Sequence, residues 1–350
     1  MQVMLDHLDD ARRHTGRLLD AFGASPRVTP SEIVAERPGM RLRHFPGAPT
    51  SAPAVLLVPA PIKRWYIWDL EPQVSPVARL LAHGLDVHVV EWTDPGPAGR
   101  DLGLEEYAGR MLHACVEVVR GRTGQSRVLL IGHSLGGTLA AVFAARHPGL
   151  VRGIALLEAP LHFGPDAGAF APLVAQSPPA GWLHAGNAAV PGSFLNLVSA
   201  AAAPMSFHAA RYADFLASLA DPARLATHMR VERWTHDEFA LPGRLFDEVV
   251  ERLYRRDEFA SGVLSVAGRL VGPATLAAPM FTVVNPYSRV IPPESILPFH
   301  HAAAATSKRI LRYRGDIGVA IQHVGVLVGR NAHRHLWPIL LDWVDGLPLG

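Results

Sequence analysis

Three scarcities narrow the reading before any motif is considered. The chain has one cysteine in 350 residues, Cys115, so an internal disulfide is excluded. Charged residues make up 18%, and the 33 basic and 31 acidic side chains leave a net charge of +2. No basic run interleaved with aromatics stands out, which argues against a nucleic-acid partner. Long hydrophobic runs are missing too: residues 55–60 and 197–205 fall well short of the ~20 needed to cross a bilayer. The first residues lack the basic and apolar regions of a secretory signal, which together with the lone cysteine favours the cytoplasm.

What is present is apolar material: 49% of the residues are hydrophobic, enough for a large buried core. The first ~25 residues place Leu5, Leu8, Leu18, Leu19 and Phe22 among charges, as an amphipathic helix does. Short β-rich stretches follow near 33–34 and 40–44. From residue 54 onward apolar strands alternate with helical patterns: strands at 54–58, 85–91, 127–131 and 151–157, helices at 74–83, 104–119 and 135–145. That alternation is the βαβ rhythm of a mostly parallel sheet.

Between 164 and 273 the alternation stops, and Ala-rich and Pro-rich helical patterns take over. Strands return at 280–284 and 309–313, and a helix at 335–344 closes the chain. The expected organisation is therefore 1–163 as an N-terminal helix with the first half of an α/β core, 164–273 as an inserted helical cap, and 274–350 as the second half.

The chemistry centres on Gly132-His133-Ser134-Leu135-Gly136. A β-run leads into this G-x-S-x-G turn and a helix-forming run leads out, which is the context of a nucleophile elbow and of the α/β-hydrolase fold. A serine that merely caps a helix would not require the flanking glycines. A serine hydroxyl needs a base to take its proton, and in this fold the base follows the last strand. His323 fits that place; His333 and His335 read as solvated positions in or beside the closing helix. For the oxyanion hole, Leu135 offers one backbone N–H. In the loop 58–62 Pro61 has no N–H, so Ile62 is the second candidate.

Around these residues the chain resembles the polyhydroxyalkanoate synthase family, and most of all its shorter members that work with a separate partner subunit. The resemblance rests on 29–34, on 58–70 with Ile67-Trp68-Asp69-Leu70, on 91–95, on Asp101-Leu102-Gly103-Leu104, on the elbow, and on 323–329 before Trp337-Pro338. It implies a hydroxyacyl or acyl-CoA-type substrate, free or carrier-bound, and leaves open a homo-dimer or a synthase-type partner. Two departures stand out. The family's nucleophile is cysteine where this chain has Ser134, and the register of the family's aspartate holds Ser288. Glu158, ending the strand after the nucleophile helix, is the leading replacement acid; Asp316, Asp166 or a Ser-His dyad are the alternatives.

The expected activity is serine-dependent acyl transfer, by hydrolysis or transesterification, on esters or thioesters of hydrophobic acyl groups with or without a 3-hydroxyl. A true hydroxyalkanoate polymerase, a general carboxylesterase or lipase, and an inactive binding protein on the same fold remain as other readings. No cofactor is expected. The 18 histidines, including His300-His301 and His333-x-His335, come with no metal-binding motif and no carboxylate-histidine cluster in the sequence, so no metal is expected either. Cys115 reads as a buried hydrophobe, and Trp182, Phe194, Phe207, Tyr212 and Trp234 as candidates for lining an acyl pocket.

Overall fold

The computed structural model describes residues 2–49, 51–94, 96, 99, 101–183 and 189–348. Met1 and Pro95, both part of segments used above, lie outside them. The strands are β1 (Glu32–Arg37), β2 (Met40–Phe45), β3 (Ala54–Val58), β4 (Asp86–Trp92), β5 (Val128–His133), β6 (Val151–Leu157), β7 (Ala189–Val190), β8 (Leu241–Pro242), β9 (Leu264–Val266), β10 (Arg269–Val271), β11 (Met280–Val284) and β12 (Lys308–Arg312). Eight of them form one sheet in the order β1-β2-β4-β3-β5-β6-β11-β12. β3, β4, β5, β6, β11 and β12 run parallel, and β1 and β2 are antiparallel at one edge. This is the α/β-hydrolase fold read from the sequence.

The apolar runs make sense once both sheet faces are covered. Every residue of β3, β4, β5 and β6 is buried, so these strands carry no polar-out alternation. Side chains alternate between faces. Ala54, Leu56 and Val58 face the helices Leu112–Thr123 and Leu135–Arg146, while Val55 and Leu57 face the side packed by Trp337–Asp345. Cys115 is fully buried on the first face beside Met40, and burial pushes its thiol up to about 12. It behaves as the small hydrophobe expected.

Residues 164–273 carry the helices Phe170–Gln176, Gly192–Ala202, Ala210–Ser218 and Pro222–Thr235, together with two small antiparallel pairs, β7 with β8 and β9 with β10. The β9–β10 hairpin packs on the flank of the helix Leu135–Arg146, where Arg146 donates to Ala267 O and Arg269 to Arg146 O. The N-terminal helix Gln2–Ala21 docks on the inserted segment: Asp9 accepts the Ser193 N–H at 2.7 Å, and Arg12 pairs with Glu238.

Candidate active site

Ser134 sits between β5 and its helix at φ 55°, ψ −137°, a conformation that costs a non-glycine residue about 1–3 kcal/mol. The surroundings enforce it. Ser134 N–H donates to Leu157 O on β6 at 3.1 Å, and Ser134 O accepts from Gly137 and Thr138. A Cβ on Gly136 would lie 2.2 Å from Val58 O, and one on Gly137 2.4 Å from the Ala159 Cβ, so only glycine lets the helix approach the sheet so closely. The Ser134 hydroxyl makes no capping bond to its helix, so the capping explanation of the motif does not apply.

His323 follows β12 on a loop held from outside. Ala320, at φ 55°, and Gly318 both donate backbone N–H bonds to the buried Asp214 at 2.8 and 2.9 Å, and Asp214 is paired with His228. His133 donates from Nε2 to the His323 carbonyl at 2.9 Å, and the two rings lie 4.6 Å apart. Neither His133 nor Asp214 is among the candidates the sequence offers. The first is visible as the variable residue of the elbow, but the second has no sequence signal because it reaches across from the inserted segment.

Glu158 ends β6 at φ 44° and is completely buried. Its Oε2 lies 3.2 Å from His323 Nδ1, and Oε1 has no hydrogen-bond partner among the described residues. Burial pushes the Glu158 carboxyl well above its ordinary range and pulls His323 down to about 4. Each charge is unfavourable alone in this pocket, and each favours the other when both form.

The competing acids are committed elsewhere. Asp316 accepts from the Tyr313 hydroxyl and the Asn331 N–H, and Asp166 is a solvated partner of His162. Ser288 accepts the Ile291 N–H at 3.1 Å, within its own turn.

Ser134, Leu135, Ile62 and His323 line one cavity of about 200 Å³. Ile62 belongs to the loop after β3, whose Pro59 carbonyl is fixed by the Trp92 indole N–H at 2.7 Å. Phe207 and Trp234 also line the cavity. Trp182 and Tyr212 do not: they are 77% and 65% exposed, because their short helices turn these faces to solvent. Phe194 packs edge-on against Phe246 in the core rather than facing the cavity. One wall is polar, where the Lys63 ammonium donates to Glu238 and to Thr235 O, and Asn196 donates to Glu238 at 2.7 Å. Burial lowers Lys63 to about 8.

One expectation about histidines needs correction, while His335 is exposed as expected. His333 is buried, not solvated: it bonds Leu327 O at 2.7 Å and receives Arg79 at 3.1 Å. His300 is likewise buried and bonded to Thr282, while its neighbour His301 is exposed. Strand pairing also brings His44 beside Asp86 and His88, a carboxylate-histidine group that no sequence motif announces. The resemblance motif Ile67-Trp68-Asp69-Leu70 serves both fold and cavity: Asp69 accepts from Thr29 and from the Ser75 hydroxyl, while Ile67 and Trp68 line the cavity.

Comparison with known proteins agrees with this fold. Residues 53–216 match the family described as alpha/beta hydrolase fold. The chain is 30% identical over 320 residues to the poly(3-hydroxyalkanoate) polymerase subunit PhaC of Haloferax mediterranei, covering 90% of this chain and 63% of that protein's length. It is 25% identical over 349 residues to PhaC of Allochromatium vinosum, covering 98% of this chain and 96% of the relative. Among solved structures, a monoacylglycerol lipase of Paleococcus ferrophilus superposes with a TM-score of 0.56 at 17% identity, over 87% of this chain and 97% of its own. The carboxylesterase CesB of Bacillus subtilis gives 0.54 at 12%, over 97% and 99%. Among the described residues, no helix is long and apolar enough to cross a membrane. The chain has the α/β-hydrolase fold and is similar in sequence to the polyhydroxyalkanoate polymerase subunits PhaC, spanning 63% of the length of the Haloferax mediterranei relative.

Proposed function

We propose that this enzyme transfers acyl groups through a Ser134 oxyester, with His323 as base, Glu158 as the acid that orients it, and the Leu135 and Ile62 N–H groups as oxyanion donors. The observation that carries the reading is that Ser134 and His323 open into one cavity while His323 Nδ1 meets the buried Glu158 carboxylate at 3.2 Å. In this scheme Ser134 Oγ attacks the acyl carbonyl, its proton passes to His323 Nε2, and the leaving alcohol or thiol takes that proton as the acyl-serine forms. Leu135 heads its helix, where first-turn N–H groups have no intrahelical partner and face developing negative charge.

The substrate we propose is an ester or thioester of a hydrophobic acyl group. The cavity supports it with an apolar side built from Ile62, Ile67, Leu195 and Phe207, and with the Lys63–Glu238–Asn196 wall for a hydroxyl or a polar carrier. Residues 164–273 would act as the cap over this cavity, set between the core halves 1–163 and 274–350. The PhaC resemblance implies a thioester intermediate on cysteine. An oxyester is less activated toward an alcohol, so hydrolysis or a single transesterification fits Ser134 better than repeated chain elongation. A fluorophosphonate probe should label the wild type and leave Ser134→Ala unlabelled. With 3-hydroxyacyl-CoA as substrate, mass spectrometry should find free acid or one-step ester. Labelling of Ser134→Ala would remove the central assignment, and polymer as the main product would remove the preference for hydrolysis.

A further inference from the structure

Away from the cavity, one row of polar side chains crosses the antiparallel edge of an otherwise apolar sheet face. Glu32 pairs in register with His44, and His44 with His88, across β1, β2 and β4; Asp86 lies two residues before His88 and so on the same face. His44 Nε2 is 2.8 Å from one Asp86 oxygen, and His88 Nδ1 is 3.8 Å from the other. The ligand atoms of His44, Asp86 and His88 all lie within 4.8 Å of one another.

His88 makes this more than a polar patch. Its side chain is 0% exposed, and among the described residues neither ring nitrogen has a hydrogen-bond partner. Buried polar groups are nearly always hydrogen-bonded, so a buried imidazole with no hydrogen bond, and a carboxylate only at 3.8 Å, points to a group the protein itself does not supply. His44 shows the complementary feature. Its outer nitrogen, Nδ1, is 3.0 Å from a Glu32 oxygen that Arg122 also holds at 2.9 Å, with Arg122 3.3 Å from Nδ1 itself, and this turns Nε2 inward toward Asp86 and His88. A carboxylate on the far nitrogen of an inward-turned imidazole is the arrangement that fixes the tautomer of a metal-ligating histidine.

We propose that His44 Nε2, His88 Nδ1 and Asp86 bind a divalent transition-metal ion of the zinc type, with Glu32 orienting His44. Two imidazoles and one carboxylate suit Zn2+ and its spectroscopic substitute Co2+, whereas an all-oxygen set would suit Mg2+ or Ca2+. Entry is from the solvent side, where His44 and Asp86 remain 15% and 12% exposed. The site is separate from the reaction centre. Asp86 pairs with Ala54 at the start of β3, while Gly132 of the elbow pairs with Val58 at its end, about 13 Å further along the strand direction. The ion would tie β2 to β4 and stiffen the edge of the sheet.

The test uses the full chain, stripped with a chelator and titrated with Co2+ and then Zn2+. The expected result is one equivalent of Co2+ with visible bands of a nitrogen- and oxygen-ligated four-coordinate ion, displaced by Zn2+, and a Tm that rises with either metal. His88→Gln and Asp86→Asn should lose the bands and the Tm shift. Glu32→Gln, a change at a half-exposed side chain that leaves the ligands in place, should weaken binding about 10- to 100-fold. The proposal is overturned if the wild type takes up no Co2+ with such bands, if His88→Gln keeps them unchanged, or if Glu32→Gln binds as tightly as wild type.

Discussion

The ends of β6 and β11 are neighbours in the sheet, yet one holds a carboxylate under strain and the other a relaxed polar turn. β6 runs into Glu158 at φ 44°, whose N–H is tied to Val283 O of β11 at 3.0 Å and whose carboxylate meets His323. β11 runs into Asn285 and Ser288, which satisfy each other's turn: Asn285 accepts the Tyr287 N–H through its side chain and the Ser288 N–H through its carbonyl. The resemblance to the synthases places an aspartate in the Ser288 register. An acid that must reach His323 can start from either strand, and here the only one of the two ends to offer a carboxylate is β6.

The largest effect that would break this comparison is at Glu158. If its carboxylate holds the His323 imidazole, Glu158→Gln should lower kcat by up to about 10⁴-fold, the size seen when a triad aspartate becomes an amide, with KM little changed. Adding Ser288→Asp in that background should return part of the rate, by supplying the acid from the β11 end. Steady-state kinetics on a soluble ester measures both. A Glu158→Gln enzyme within about threefold of wild type would correspond to under ~1 kcal/mol and would remove the acid from β6.

A smaller effect is expected where the inserted segment grips the loop that carries His323. Asp214 receives the Gly318 and Ala320 N–H groups while paired to His228. Asp214→Asn keeps the shape but loses one acceptor and the charge, and hydrogen bonds to charged groups contribute about 1.5–3 kcal/mol. Only part of that should reach the reaction, so kcat should fall by roughly tenfold. Fluorophosphonate labelling should slow in proportion. Unchanged kinetics alongside a lowered Tm would mean that Asp214 supports the fold without positioning His323.

The parts of this molecule that could be read from the sequence are those whose signal is local. β3, β5 and β6 announce themselves as unbroken apolar runs because both faces are covered, and the elbow does so because its glycines are needed within five residues of chain. Glu158 and His323 are 165 positions apart, yet both were reachable because strand order alone brings the ends of β6 and β12 to one edge of the sheet. Asp214 and the His44–His88 pair were not. Their partners are set by how the inserted helices dock and by cross-strand register, and neither leaves a pattern in any short window. Trp182 and Tyr212 failed for the opposite reason, since an aromatic in an amphipathic helix gives no sign of which face meets the cavity.

The mildest test concerns pH, and it follows from the depth of the Glu158–His323 pair. A histidine works as a base only while unprotonated, and burial lowers His323 from its usual value of 6.5 to about 4. Lowering the pH therefore protonates it later than an exposed histidine, so activity persists further into the acid range and is lost only as the pH falls through the lowered pKa. In kcat/KM against pH, the acid limb should have its midpoint below 6.5, with a plateau through neutrality. Glu158 opposes this only to the extent that it ionises, since burial pushes its own carboxyl well above the ordinary range, while a charged carboxylate beside the ring would favour the imidazolium. Replacing it in Glu158→Gln should therefore move the residual activity's acid limb lower still. A limb centred at or above 6.5 in the wild type would mean that the charge of Glu158 outweighs burial, and the pair would then rest as a carboxylate–imidazolium ion pair.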